Sequence, residues 1–145
     1  MRTTRTALLL LLLSVATLQT VLCNQSMPPP YESLPSMSRA ELSEHDGTDT
    51  SKPLLLAIKG YVFDVSESQR FYGVDAPYHA FAGIDASQAA ARMSLDPGHL
   101  NDDISSLEEA ELKALDDVFD SVYVAKYKIV ARLEGSPFYA GADEL

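Results

Sequence analysis

The segment from Phe71 to Ala82 constrains this chain more than any other stretch of its sequence. Tyr72 is followed directly by Gly73, Tyr78 is preceded directly by Pro77, and helical spacing comes next. Glycine and proline interrupt regular structure, so the segment cannot be one continuous helix or strand. We therefore expect a loop that presents two phenol groups at the start of a helix.

The residues before this loop predict a β-hairpin. Two runs of branched and aromatic residues, 54–58 and 61–65, flank Lys59 and Gly60. Such residues favour strands, and a Lys-Gly pair fits a tight turn, although Asn-Gly is the stronger turn signal. A closing strand is expected at 127–133, far along the chain.

Three capping-box patterns, each a Ser or Asp followed three residues later by Glu or Gln, predict where helices begin. The pairs are Ser38 with Glu41, Asp85 with Gln88, and Ser106 with Glu109. The helices are expected to run to about His45, over 86–93, and from Leu107 to about Tyr123. The alanines of the second helix are small enough for a bulky group to lie against it, but alanine also simply favours helix.

The longest predicted helix has one apolar face, because Leu112, Leu115, Phe119 and Val122 recur at spacings of three and four. The aspartates at 116, 117 and 120 fall largely on the other face, where we expect them to be solvated. A hairpin, then helices, then a strand are typical of a small α+β domain with helices beside a mainly antiparallel sheet.

The first 23 residues are typical of a secretory signal peptide. Arg2 and Arg5 precede a leucine block at 8–13, and small residues lead to Cys23. This order favours cleavage before Asn24. The alternative is an uncleaved N-terminal membrane anchor, although the stretch is slightly short for a span of about 20 residues.

The composition of the ends sets the expected domain limits. Residues 24–37 are rich in proline and are expected to form an exposed, extended linker. The domain is expected over 38–134, followed by a loosely ordered tail at 135–145. The last four residues, Ala142–Leu145, resemble the Lys-Asp-Glu-Leu retrieval signal and predict partial retention in the endoplasmic reticulum, or slow secretion.

Charge and cysteine content exclude several classes of function. The formal net charge of −10 makes nucleic acid and anionic lipid surfaces poor partners. Cys23 is the single cysteine and leaves with a cleaved signal peptide. Disulfide exchange, thiol catalysis and zinc–thiolate sites are then excluded, and no pattern indicates hydrolysis or group transfer.

Four residues are candidates for a ligand site: Tyr72, Tyr78, Lys126 and Tyr127. Phenols at the mouth of a pocket, with a lysine nearby, favour a flat anionic ligand with a metal centre, which is haem. Taken singly, each residue has an ordinary structural alternative. The tyrosines could pack on the sheet or cap a helix, and the lysine could be a solvated surface charge.

Several motifs together resemble the membrane-associated progesterone receptor family, which has the cytochrome b5-like haem/steroid-binding fold. The likeness covers roughly Ser38 to Leu133 and is strongest to a secreted member of the family. The motifs that carry it are 56–65, Phe71-Tyr72-Gly73, Ala76-Pro77-Tyr78, Met93-Ser94-Leu95-Asp96-Pro97, 111–119 and Ala125-Lys126-Tyr127.

This resemblance implies a role for each candidate residue. Tyr78 would be the axial tyrosinate ligand of a ferric, b-type haem, and Tyr72 would line the haem and hydrogen-bond near that ligand. Lys126 and Tyr127 would approach the haem propionates. His79 stands where membrane-anchored members often carry Gly, so the surface beside Tyr78 need not copy theirs.

The resemblance also implies a function without catalysis. We expect a haem-binding protein that is secreted or lumenal and acts as a signalling or haem-handling factor on a cell-surface receptor. The alternatives are an endoplasmic-reticulum membrane-anchored protein that regulates or supplies cytochrome P450-type enzymes, and a module that binds a steroid or other apolar ligand. Whether haem joins two copies into a dimer is left open.

Overall fold

The computed structural model describes residues 27–139, so the predicted signal peptide and the last four residues lie outside the described part. The fold is a four-stranded mixed sheet with helices, an α+β architecture. The strands are β1 (Ser36–Met37), β2 (Leu55–Ile58), β3 (Tyr61–Asp64) and β4 (Lys128–Leu133). Their order is β1-β4-β3-β2, and only the β1–β4 pair is parallel. The predicted mainly antiparallel sheet is therefore confirmed.

The predicted hairpin is also confirmed, and its turn explains the Lys-Gly pair. Lys59 and Gly60 have φ values of 53° and 74°, the left-handed conformations that match the twist of a two-residue hairpin turn. A Cβ at Gly60 would lie 2.4 Å from the Ser136 hydroxyl oxygen, so glycine is required for space as well as for φ.

In the described residues, four α-helices pack beside the sheet: α1 (Arg39–Ser43), α2 (Gln69–Tyr72), α3 (Ser87–Arg92) and α4 (Glu109–Val118). A π-helical turn, Phe119–Val124, extends α4. Short 3₁₀ turns lie at Tyr31–Ser33, Ser66–Ser68, His79–Phe81, Pro97–His99 and Pro137–Tyr139. Within residues 27–139, no helix is long and apolar enough to span a bilayer.

Both faces of the sheet are buried, which explains why its strands are apolar runs rather than alternating ones. Leu56, Ile58 and Phe63 face the cluster that includes α2, α3 and α4. Ala57 and Val62 face the smaller cluster that includes α1. The larger cluster holds the aromatic residues and positions the site described below.

One of the three predicted capping boxes is confirmed. The Ser38 hydroxyl accepts from the Glu41 amide at 3.2 Å, and a Glu41 carboxylate oxygen accepts from the Ser38 amide at 2.8 Å. The prediction at Ser106 and Glu109 is wrong, because Glu108 and Glu111 form the box that begins α4.

The predicted box at Asp85 is wrong for a tertiary reason. The buried Asp85 carboxylate accepts from the Gly60 amide at 3.0 Å and from the Ser87 amide at 3.0 Å. It therefore ties the hairpin turn to the start of α3, and Ala86 begins that helix without a side-chain cap. The amide of Lys59 donates to the Ser87 hydroxyl at 2.7 Å and completes this link.

The predicted apolar face of the longest helix is partly correct. Leu115 and Phe119 are buried and Val122 is half-buried, but Leu112 is 37% exposed. Helical structure reaches past the predicted end near Tyr123, because the π-helical turn Phe119–Val124 follows α4 and residues 125–126 are again α-helical. The π-helical turn that follows changes the angular position of later residues, so strict 3/4 spacing does not continue.

The predicted linker is exposed at six of its eleven described residues, 27–37, but parts of this segment and of the tail pack on the domain. Tyr31 is only 2% exposed, and its ring stacks on that of Tyr139 with centroids 3.7 Å apart. Ser36 and Met37 pair with β4. Prolines favoured extended backbone, but the aromatic side chains at both ends gain more by packing on the domain.

Candidate functional site

A cavity of about 410 Å³ opens between α2, the tyrosine loop, α3 and the end of α4. This size is within the usual range for small-molecule and cofactor sites. The residues that line it are mainly aromatic and aliphatic: Phe71, Tyr72, Tyr78, Phe81, Ala89, Ala90, Met93, Ser94, Leu95, Val118, Val122, Tyr123, Lys126 and Tyr127.

Backbone hydrogen bonds close the loop that carries the two tyrosines. The Gly73 amide donates to the Gln69 carbonyl at 2.8 Å, which ends α2 at Tyr72. The Tyr78 amide then donates back to the Phe71 carbonyl at 2.8 Å. These two bonds bring the ends of the loop together, so both phenol side chains reach the same cavity.

Tyr78 lies at the mouth of this cavity and is 44% exposed. Its ring is 6.3 Å from that of Tyr72 and 5.9 Å from that of Phe81, measured between centroids. Among residues 27–139, no group hydrogen-bonds to the Tyr78 hydroxyl. Its oxygen is therefore both accessible and available to a ligand.

Tyr72 has a different environment, because it is only 6% exposed. Burial, followed by the neighbouring Tyr123, raises the pKa of Tyr72 well above its ordinary value. Burial likewise raises the pKa of Tyr123 to about 12, and the neighbouring Tyr72 hydroxyl partly opposes that rise. Both hydroxyls therefore remain neutral near physiological pH and can donate hydrogen bonds.

Tyr127 and Lys126 complete the predicted set. The Tyr127 ring is 6.1 Å from that of Tyr72, and its hydroxyl donates to the Ser68 hydroxyl at 3.1 Å. Lys126 is exposed at the edge of the cavity. The structure thus brings all four residues predicted from the sequence to one cavity, although their roles toward a ligand stay predictions.

Sequence reasoning missed Tyr123, which is 3% exposed and lies inside the cavity. Its ring is 6.1 Å from that of Tyr127. The signal was present, since Tyr123 precedes Tyr127 by one helical turn and such residues share a face. Ala89 and Ala90 line the opposite wall, in agreement with the expectation that α3 leaves room for a bulky group.

The chemistry of the available donors fits a haem held by a phenol oxygen. His45, His79 and His99 hydrogen-bond through Nδ1 to the Pro53 carbonyl, the Tyr72 carbonyl and the Ser94 hydroxyl, at 2.9, 3.1 and 2.9 Å. No group of three or more His, Cys, Asp or Glu side chains in the described residues could hold a metal ion. Tyrosine is a known haem ligand, and the exposed phenol of Tyr78 is the donor placed to act as one.

Residues 38–129 match the family model described as "Cytochrome b5-like Heme/Steroid binding domain". This chain belongs to that family. The match begins directly after β1 and ends within β4. It therefore includes every residue that lines the cavity.

The relatives of this chain include proteins that are named as a steroid-binding protein, a progesterone receptor component and a cytochrome P450 regulator. "Membrane steroid-binding protein 1" of Oryza sativa subsp. japonica is 48% identical over 71% of this chain and 44% of that protein. "Cytochrome P450 regulator dap1" of Schizosaccharomyces pombe is 41% identical over 65% of this chain and 60% of that protein. "Membrane-associated progesterone receptor component 2" of Rattus norvegicus is 35% identical over 72% and 51%. The chain spans about half the length of the curated relatives it matches.

A solved structure supports the same fold. A hypothetical protein from Arabidopsis thaliana, described as having a cytochrome b5 like fold, superposes with a TM-score of 0.62 at 38% identity. The superposition covers 74% of this chain and 98% of the Arabidopsis chain. The predicted cytochrome b5-like fold and the resemblance to the progesterone-receptor family are therefore confirmed.

Proposed function

We propose that this chain is a haem-binding protein without catalytic activity, in which the phenolate of Tyr78 is the axial ligand of a ferric, b-type haem. The observation that carries the proposal is the exposed Tyr78 hydroxyl, which has no hydrogen-bond partner among residues 27–139 and stands at the mouth of an aromatic cavity. Membership of the haem/steroid-binding family supports haem binding in general.

The four candidate residues have different roles in the proposed binding of haem. Tyr78 gives up its phenolic proton on binding, as metal ligands do, and a hard anionic oxygen favours the ferric state. Tyr72 stays neutral and donates a hydrogen bond beside the ligand oxygen. Lys126 attracts a haem propionate as a point charge, and Tyr127 lies beside the same propionate. Haem, when bound, supplies a ferric iron centre that the protein chain alone lacks.

The test is a haemin titration of the purified protein and of Tyr78→Phe, followed by absorption spectroscopy. We expect the wild-type protein to bind haemin with the spectrum of a tyrosinate-ligated ferric haem and Tyr78→Phe to lose it, with an affinity reduced at least about tenfold. Tyr139→Phe is the matched control, because its ring packs on Tyr31, away from the cavity. A Tyr78→Phe protein with wild-type spectrum and affinity would contradict the proposal.

A second function, as an accessory protein of cytochrome P450-type enzymes, is favoured by the relative named as a P450 regulator. In this proposal the N-terminal segment is an anchor in the endoplasmic-reticulum membrane, in keeping with the relatives named as membrane proteins. The alternative is a secreted signalling factor of the neudesin kind, with the segment cleaved. Alkaline extraction and N-terminal sequencing separate them: retention in the membrane with Met1 intact supports the anchor, and a free N-terminus near Asn24 supports secretion.

The names of several relatives also support a steroid as ligand of the same cavity. A steroid and haemin would then compete, because both would bind in the same cavity of about 410 Å³. Displacement of bound haemin by a steroid is the expected result if the two share it. Simultaneous binding without competition would place the steroid elsewhere.

A further inference from the structure

The cavity has a charge opposite to that of the chain. The sequence contains 21 acidic and 11 basic residues, for a net charge of −10. Yet the residues that line the cavity include Lys126 and not one carboxylate. Its remaining polar groups are tyrosine hydroxyls and Ser94, all of which are uncharged. The wall of the cavity is therefore apolar with one positive group, on a molecule that is strongly acidic elsewhere.

Arg70 places a second cation next to a residue that lines the cavity. It is exposed on α2, and its guanidinium carbon lies 4.7 Å from the centre of the Phe71 ring. Phe71 is itself a lining residue and is 39% exposed. Because the guanidinium lies over a ring that lines the cavity, an anionic group bound beside Phe71 would lie in the field of Arg70 as well as that of Lys126.

Among the residues that the structure describes, these two cations and Lys128 of β4 differ from five other basic residues, because they form no ion pair. Five basic residues of the described chain form ion pairs with carboxylates: Arg39, Lys52, Lys59, Arg92 and Lys113. Within residues 27–139, neither Arg70 nor Lys126 has a carboxylate within ion-pair distance. Their charges are therefore not neutralised by a local acidic partner and are available to a ligand.

We propose that the cavity selects ligands that combine a flat apolar body with an anionic group at one end, and that among steroids it binds sulfate esters in preference to the neutral parent alcohols. This inference rests on the ligand-binding function proposed above and defines its ligand class. A haem propionate and a steroid sulfate share the required chemistry. Arg70 and Lys126 would contact the anion while the apolar wall holds the rings.

The physical reason is the balance between the acidic surface and the two cations. The net charge of the protein opposes the approach of any anion, so an anionic ligand needs local positive charge to bind. The planar guanidinium of Arg70 can present two donors to a sulfate or carboxylate, and the ammonium of Lys126 acts as a point charge. A neutral steroid gains apolar burial alone and nothing from either cation.

The test is isothermal titration calorimetry of the protein purified from its own secretory pathway, with pregnenolone and pregnenolone sulfate as probes. We expect the sulfate to bind about tenfold more tightly at low salt, a preference equivalent to about 1.4 kcal/mol. High salt should reduce it, since exposed charges are screened. The Arg70→Gln, Lys126→Gln double variant should bind both steroids with similar affinity. Lys113→Gln, which removes an ion-paired lysine on the surface, should keep the preference.

Unchanged binding of pregnenolone by the double variant shows that it is folded, so loss of the preference is then a charge effect. Equal affinities of the two steroids for the wild-type protein, or no binding of either, would overturn the inference. A preference that survives in the double variant would overturn it as well. Tyr78→Phe separates this result from the haem proposal, because it removes the iron ligand but leaves both cations and should keep the sulfate preference.

Discussion

The side chains of the two loop tyrosines lie in different surroundings, and the roles proposed for them differ for that reason. Tyr78 is 44% exposed, whereas Tyr72 is 6% exposed beside Tyr123. A sequence shows the spacing of two phenols but not which one is buried, because burial depends on packing against distant elements. Tyr123 was missed for that reason, since its helical position made it equally plausible as an ordinary core residue.

Tyr123→Phe tests the buried pair of phenols. Removal of this hydroxyl removes its interaction with the neighbouring Tyr72 hydroxyl in a buried site, so the free energy of unfolding should fall by about 1 kcal/mol. Urea denaturation of Tyr123→Phe, Tyr72→Phe and the double variant measures the coupling between the two hydroxyls. Strictly additive effects of the two single changes would show that the hydroxyls do not interact.

Asp85 should make stability depend on pH. Burial raises the pKa of its carboxyl above the ordinary value of 3.8, and hydrogen bonds from Ser87 and Gly60 partly oppose the rise. The folded protein therefore holds this proton more tightly than the unfolded chain, and stability is lost as pH rises from about 3.8 through the folded-state value. Relative to Asp85→Asn, the wild-type protein should lose free energy of unfolding over that interval. A relative gain with rising pH would refute the raised pKa.

At the level of elements, local patterns were predicted well and tertiary links were not. The hairpin at 54–65 follows from strand propensity and a turn pair that are adjacent in sequence. The Asp85 box failed because its carboxylate binds Gly60, 25 residues away. The predicted extent of the long helix to about Tyr123 agrees with helical structure that reaches residue 126, but nothing in the 3/4 spacing indicates the π-helical turn after Val118.

Gly60→Ala tests the turn that joins the hairpin to α3. The change imposes a left-handed φ on a residue with a Cβ and also places that Cβ 2.4 Å from the Ser136 hydroxyl oxygen. Gly135→Ala is the matched control, since Gly135 has a φ of 65° but nothing within 4 Å of a Cβ. We expect a loss of about 1–2 kcal/mol for the control and more for Gly60→Ala, by thermal or urea denaturation. Equal losses would mean that the contact with Ser136 adds nothing.

For the molecule as a whole, the two ends of the described chain stabilise the same edge of the domain. The Tyr31 hydroxyl donates to the Leu133 carbonyl, 102 positions away, and the Tyr31 ring stacks on Tyr139. Contacts of such long range carry no local signature, which is why the segments around these tyrosines were expected to be exposed linker and tail. The four cavity residues also come from two separate parts of the chain, 72–78 and 126–127, but their side-chain chemistry together with a family resemblance indicated them.

Tyr139→Ala tests this contact between the ends. Loss of the stacked ring should lower the free energy of unfolding by about 1–3 kcal/mol, because it removes apolar burial and an aromatic pair. Haemin affinity should stay unchanged, since the ring lies outside the cavity. Chemical denaturation and haemin titration of the same preparation check both points. A Tyr139→Ala protein with unchanged stability but impaired haemin binding would show that Tyr139 acts in ligand binding and not in joining the ends of the chain.

The central claim for the molecule is that Tyr78 makes this domain a haem protein. The most direct measurement is the absorption spectrum of wild-type and Tyr78→Phe proteins purified side by side from the same host cells. We expect a Soret band of tyrosinate-ligated ferric haem in the wild-type protein and its loss in Tyr78→Phe. No Soret band in the wild-type protein, or the same band in both, would contradict it.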